Sequence, residues 1–122
     1  MLTIRETFDG YSHLKALDEN IHVTEALDGK VIAFIAYAYT ADSVIIYDYN
    51  DNGDVDLCDG LIRSVLLKAC LRGIGTAEFK IIHEEKFSRL ALLRFINDDS
   101  RLLYNINDFM SRCTTASHDD LY

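Results

Sequence analysis

A short β-branched run, Val44-Ile45-Ile46-Tyr47, leads through an acidic stretch into a long helical pattern. This unit constrains the chain more than any other. A run of four such residues suits a buried strand. The loop Asp48–Asp56 is almost entirely Asp, Asn and Gly. Apolar residues then recur at Cys58, Leu61, Ile62, Val65, Leu66 and Ala69, the spacing of one buried helical face. Asp56 is expected at the N-cap, with Asp59 in the first turn, Lys68 and Arg72 near the far end and Gly73 as the terminator. Thr76–Ile82 reads as another strand. A strand–helix–strand crossover of this length predicts that the two strands run parallel.

The flanks extend the pattern. Leu2–Arg5 is expected as a short strand and Ser12–Asn20 as a brief helix, capped by Ser12 with Leu14 and Leu17 inward. His22–Leu27 and Lys30–Tyr39 read as strands joined at Asp28-Gly29, a hairpin signal in which both turn residues accept positive φ. Thr40-Ala41-Asp42 turns the chain into Val44–Tyr49, so three antiparallel strands precede the central helix. Glu84–Ile96 is expected as a second helix, with Phe87, Leu90, Ala91 and Phe95 on its apolar side. Leu102–Ile106 reads as a last strand, and Asn107 caps a final turn, Asp108–Arg112, that buries Phe109. The expectation is one α/β domain over residues 1–113, with a mixed, mostly antiparallel sheet, and a polar, mobile tail over 114–122.

Charge and cysteine usage narrow the function classes. Asp and Glu outnumber Lys and Arg 20 to 12, giving a net charge of −8. That argues against nucleic acid or an anionic membrane as partner, because both are gripped by clustered cations. Cys58, Cys70 and Cys113 form no C-x-x-C pair, which argues against a zinc ribbon or a redox pair. Cys58 and Cys70 share one helix about 18 Å apart and cannot bond. Free thiols, with no signal sequence and no apolar span of membrane length, point to a cytoplasmic protein.

The order hairpin, strand, loop, helix ending Arg72-Gly73-Ile74, strand, helix resembles the core of the GNAT acetyltransferase superfamily, most closely in DGLIRSVLLKACLRGI. The resemblance spans about Lys30–Phe95. It implies a GNAT-like mixed sheet and an acetyl-CoA or other acyl-CoA cofactor. The pyrophosphate would lie on backbone amides of Gly53, Asp54, Val55, Asp56, Leu57, Cys58, Asp59 and Gly60, at a helix N-terminus whose first amides are unpaired. The family's Gln/Arg-x-x-Gly-x-Gly/Ala loop falls here on Gly53, Asp56 and Cys58. Its Asn, Ala and Tyr on the next helix, ahead of Gly-Phe, fall on His83, Lys86 and Leu90, with Arg94 for the glycine. The phenol that would protonate the thiolate is missing from that helix, and Tyr104 is the nearest substitute. Asp51, Asp54, Asp56 and Asp59 surround the loop. At ~5 Å and an effective dielectric of ~20 each would repel an anion by about 3 kcal/mol, against about 0.3–1 kcal/mol from the helix dipole. The expectation is therefore an N-acetyltransferase-like protein with a degenerate, non-catalytic acyl-CoA site, whose partner is an acyl-CoA or a protein.

The same loop also matches a calcium loop. Asp48, Asn50, Asn52, Asp56 and Asp59 supply oxygens at positions 1, 3, 5, 9 and 12, with Asp54 at position 7 and Gly53 at the turn. It resembles a dockerin repeat in ending on Asp. A solvated acidic loop needs no metal, and no second copy of the loop is present. A protein–protein adaptor using the sheet edge is the other alternative. Glu25 and Tyr104 are the catalytic candidates, with His22 as a second base; His83 before Glu84-Glu85 is a weaker metal candidate. Tyr37, Tyr39, Tyr47 and Tyr49 are expected to share one face of the sheet. Cys58 is expected inward, with its thiolate opposed by the surrounding Asp.

Overall fold

The computed structural model describes residues 2–97 and 100–110. The expected tail 114–122, Cys113 and the end of the final turn at Arg112 lie outside them. Six strands form one sheet in the order of the chain: β1 (Thr3–Glu6), β2 (His22–Leu27), β3 (Val31–Tyr39), β4 (Ser43–Asn50), β5 (Thr76–Phe79) and β6 (Leu102–Leu103). Helix α1 (Val55–Leu71) connects β4 to β5, and α2 (Glu84–Leu92) follows β5. Each neighbouring pair is antiparallel except β4 and β5, which are parallel from Ser43↔Thr76 to Ile46↔Phe79. The crossover read from sequence is thus the one the chain makes.

The apolar stripe of α1 enters the larger core. Cys58, Leu61, Ile62, Val65, Leu66 and Ala69 are buried there against Ile35, Tyr37, Val44, Ile46 and Phe79 from the strands. Leu90 of α2 with Phe95 and Phe109 extends that core. A smaller cluster on the sheet, Ile21, Val23 and Ala36, is covered by Phe8, Tyr11 and Leu14.

Both helices stop by the same device. At the end of α1, Gly73 takes φ +78°, its N–H bonds the Cys70 carbonyl, and the Ile74 N–H bonds that of Ala69. After α2, Arg94 N–H bonds the Ala91 carbonyl and Phe95 N–H that of Leu90. Here the left-handed position belongs to Arg94, φ +69°. α2 therefore ends at Leu92, earlier than expected, and Phe95 and Ile96 are buried from the following turn.

Other boundaries move for local reasons. Residues Ser12–Ala16 form a 3-10 helix following Tyr11 rather than an α-helix capped by Ser12, and Leu17 is exposed. The β2–β3 turn has three residues, because Leu27 pairs with Val31, and only Gly29 carries positive φ. Asp54, not Asp56, caps α1: Asn52 and Gly53 both take positive φ, closing the turn two residues sooner. β5 stops at Phe79, leaving Ile82 exposed, and β6 spans two residues rather than five. Asn105, not Asn107, caps the helical residues 106–110, its Oδ1 accepting from Asp108 N–H at 3.1 Å; Phe109 is buried as expected.

The four tyrosines do not share a face. Ala36 lies opposite Asp48, yet Tyr37 lies opposite Ile46, so β4 carries an extra residue at Tyr47. The bulge reverses side-chain parity. Tyr37 and Tyr49 enter the larger core while Tyr47 packs with the smaller cluster.

Replacing Arg94 by glycine removes the Cβ clash of the left-handed conformation. Arg94→Gly should stabilise the protein by about 1 kcal/mol, read as a higher urea midpoint at unchanged slope.

Candidate functional site

Three elements meet where β4 ends. The parallel ladder of β4 and β5 continues only to the Lys80 N–H, which bonds the Ile46 carbonyl. Beyond it β4 stays paired with β3, out to Phe34↔Asn50, while the chain after β5 turns away into α2. The resulting wedge is closed by side chains. Tyr49 donates its hydroxyl to the Lys86 carbonyl at 2.7 Å. Lys86 Nζ donates to Asp48 Oδ1 at 2.8 Å, and the Arg89 guanidinium donates to Asp51 Oδ2. Asp51 is nearly fully buried. Burial drives the Tyr49 phenol far above its usual range and the Cys58 thiol beneath it up to about 11. The inward placement of Cys58 agrees with the helical stripe, and its raised pKa makes it a poor nucleophile.

Tyr49 is the phenol that sequence reasoning missed at this place. It arrives from β4 and touches α2 at Lys86, one turn before Leu90. A signal existed: Asp48 and Asp51 are spaced by three residues, as are Lys86 and Arg89.

The amides of the loop and of the first turn of α1 are mostly occupied by the loop itself. Asn52 N–H donates to Asn50 Oδ1 at 2.9 Å and Gly53 N–H to Asp51 Oδ1 at 3.0 Å. Asp54 Oδ1 accepts from Asp56 N–H at 2.9 Å and Leu57 N–H at 3.3 Å. The Cys58 N–H is already in the helix, bonded to the Asp54 carbonyl. The bare repulsion expected here is reduced, because Asp51 faces Arg89 and Asp59 accepts from Arg63 Nε at 2.9 Å. Occupancy of the donors, more than naked charge, is what an incoming phosphate would meet. A shallow groove of about 340 Å³ adjoins the loop, lined by Lys30–Phe34, Asn50 and Asn52, where Lys30 supplies a cation.

The calcium geometry does not assemble. Asp48 is turned to Lys86, Asn50 to the Asn52 amide, Asp54 to the helix start and Asp59 to Arg63. Among the described residues no group of three or more His, Cys, Asp or Glu is arranged to hold a metal ion, which leaves His83 without support as well.

The two catalytic candidates are far apart. Glu25 is buried on β2, where its carboxylate accepts from Arg5 Nε at 3.1 Å and Tyr11 hydroxyl at 2.6 Å. Tyr104 follows β6 and is 65% exposed. Four strand spacings of ~4.8 Å put them about 19 Å apart. His22 bonds Glu6 at 3.1 Å through Nδ1 and stacks on Tyr37, with ring centres 5.6 Å apart.

No protein-family model and no curated protein matches this chain. Solved structures do. It is similar to AtaT complexed with acetyl-methionyl-tRNAfMet, with TM-score 0.64 and 12% identity over 93% of this chain and 99% of that one. It is similar to a ribosomal-protein-alanine N-acetyltransferase from Brucella melitensis biovar Abortus 2308, with TM-score 0.63 and 13% identity over 82% and 96%. A GNAT-family acetyltransferase structure from Desulfovibrio desulfuricans gives TM-score 0.53 and 13% identity over 65% and 72%. The fold is therefore the GNAT acetyltransferase fold, as the element order implied.

Two measurements probe this site. Arg89→Met strands the buried Asp51 carboxylate and should cost about 2–3 kcal/mol in urea unfolding, whereas Arg89→Met with Asp51→Leu should cost less. Burial, first among the causes, also raises the phenols of Tyr11, Tyr37 and Tyr47 to about 12 from 10.0. Above pH 10 the unfolded chain releases protons that the folded chain keeps. Thermal stability should therefore hold below pH 10 and fall as pH rises from about 10 to 12.

Proposed function

We propose that this chain is a GNAT-fold, N-acetyltransferase-like protein whose acyl-CoA site is degenerate and does not support turnover. One observation carries the reading: four amides of the loop and first turn of α1, those of Asn52 and Gly53 in the loop and Asp56 and Leu57 in the helix, are bonded to side-chain oxygens of Asn50, Asp51 and Asp54. A pyrophosphate that used these donors would have to displace three side chains, two of them carboxylates. Each lost charge-assisted bond costs about 1.5–3 kcal/mol, more than the helix dipole returns. The wedge beside β4 is held shut at the same time by Tyr49, Lys86 and Arg89. Leu90 on α2 offers no proton to a departing thiolate.

The reading keeps acyl-CoA as the class of ligand from which the site derives. It takes a protein partner as the target of a fold that no longer turns over. It also keeps a cytoplasmic setting, supported by the free thiols of Cys58 and Cys70.

Acetyl-CoA titrated to millimolar concentration into isotope-labelled protein should leave the amide signals of Asn52–Gly60 unmoved, and a thiol-release assay with amine acceptors should stay at background. A saturable shift at those amides would overturn the degenerate assignment.

A further inference from the structure

We infer that the far end of α1, opposite the acidic loop, carries a separate anion site for a phosphate group, built by Lys68, Arg72, Tyr39 and His22. The inference stands apart from the acyl-CoA reading, because these residues lie at the other end of the helix.

Among the described residues Lys15, Lys30, Lys68, Arg72, Arg94 and Arg101 have no carboxylate within ion-pair distance, and Lys68 and Arg72 are the two that meet at one place. Arg5, Arg63, Lys80, Lys86 and Arg89 each meet a carboxylate within ion-pair distance. Lys68 instead donates to two neutral hydroxyls, Thr24 Oγ1 at 3.1 Å and Tyr37 at 3.2 Å. Arg72 lies over the Tyr39 ring, 4.0 Å from its centre, and is exposed. Among the described residues neither cation has a carboxylate within ion-pair distance, in a chain of net charge −8. One helical turn separates them, so both heads reach the same side of α1. Both act on the Tyr39 phenol, opposing the upward push of burial and of Tyr37. His22 packs edge-on against Tyr39 at 5.3 Å, completing a rim of three donors and a phenol.

One anion already reaches this cluster. Glu6, on the exposed edge strand β1, accepts from Tyr37 at 3.2 Å and pairs with His22 at 3.1 Å. It serves as a tethered carboxylate on the β1 side of the rings, while Lys68 and Arg72 keep charge to spare on the α1 side. A tetrahedral oxyanion suits that surplus, because Arg and Lys together offer a planar fork and a point charge. Glu6 competes with it for the same local potential.

The probe is inorganic phosphate, titrated at pH 7 against chloride at matched ionic strength. Phosphate should raise the melting temperature beyond chloride and shift the amides of Tyr39 and Lys68–Arg72 saturably. Arg72→Gln, at an exposed position that leaves the core intact, should weaken binding about tenfold, the loss of one charge-assisted contact. Glu6→Gln should tighten it. Phenyl phosphate binding more tightly than inorganic phosphate would assign the site to an ester, and equal binding to the free ion. Phosphate acting no differently from chloride, or Arg72→Gln binding it like the parent, would overturn the site.

Discussion

Helix α1 must return the chain beside the strand it left, and that requirement organises the molecule. A parallel neighbour for β4 can be reached only through a crossover long enough to span the sheet. The seventeen residues of α1 supply it, and their apolar stripe seals the larger core in doing so. The pairing of β4 with β5 covers only four residues on each strand. What lies beyond it is held by side chains rather than by a ladder. The wedge between strand and helix is therefore governed by Tyr49, Asp48 and Asp51 instead of by backbone bonds.

The loop entering α1 answers a second demand. A helix start leaves its first N–H groups without partners inside the helix. In this chain Asp54 meets the need for Asp56 and Leu57, while Asn50 and Asp51 hold the amides of Asn52 and Gly53 in the loop before them. Asp48, Asp51, Asp54 and Asp59, which look like a calcium loop or an electrostatic barrier in sequence, are individually occupied in space. Asp48, Asp51 and Asp59 are ion-paired with Lys86, Arg89 and Arg63, and Asp54 caps the helix.

The legible parts of this chain were those set by periodicity and local chemistry. The stripe of α1, the Gly73 terminator and the crossover all follow from spacings within one element. The illegible parts depended on register or on distant partners. Nothing in Tyr37, Tyr39, Tyr47 and Tyr49 announces the extra residue that sends Tyr47 to the other side. Glu25 read as a catalytic candidate because the partners that engage it, Tyr11 and Arg5, come from distant segments that its own strand does not announce. Asp54 displaced Asp56 as cap because Asn52, a non-glycine, accepts a left-handed backbone. The three-residue spacings of Asp48/Asp51 and Lys86/Arg89 were visible, but only the fold sets them face to face.

The irregularity at Tyr47 sets two kinds of order against each other. The same residues of β4 paired with β3 without interruption past Ile46 would set Tyr49 opposite Phe34 instead of Ile35. That pairing would turn Tyr49 to the opposite surface, away from Lys86 on α2. The more regular sheet would thus be the one whose second helix drifts loose, so here a flaw in the weave is what fastens the neighbouring layer.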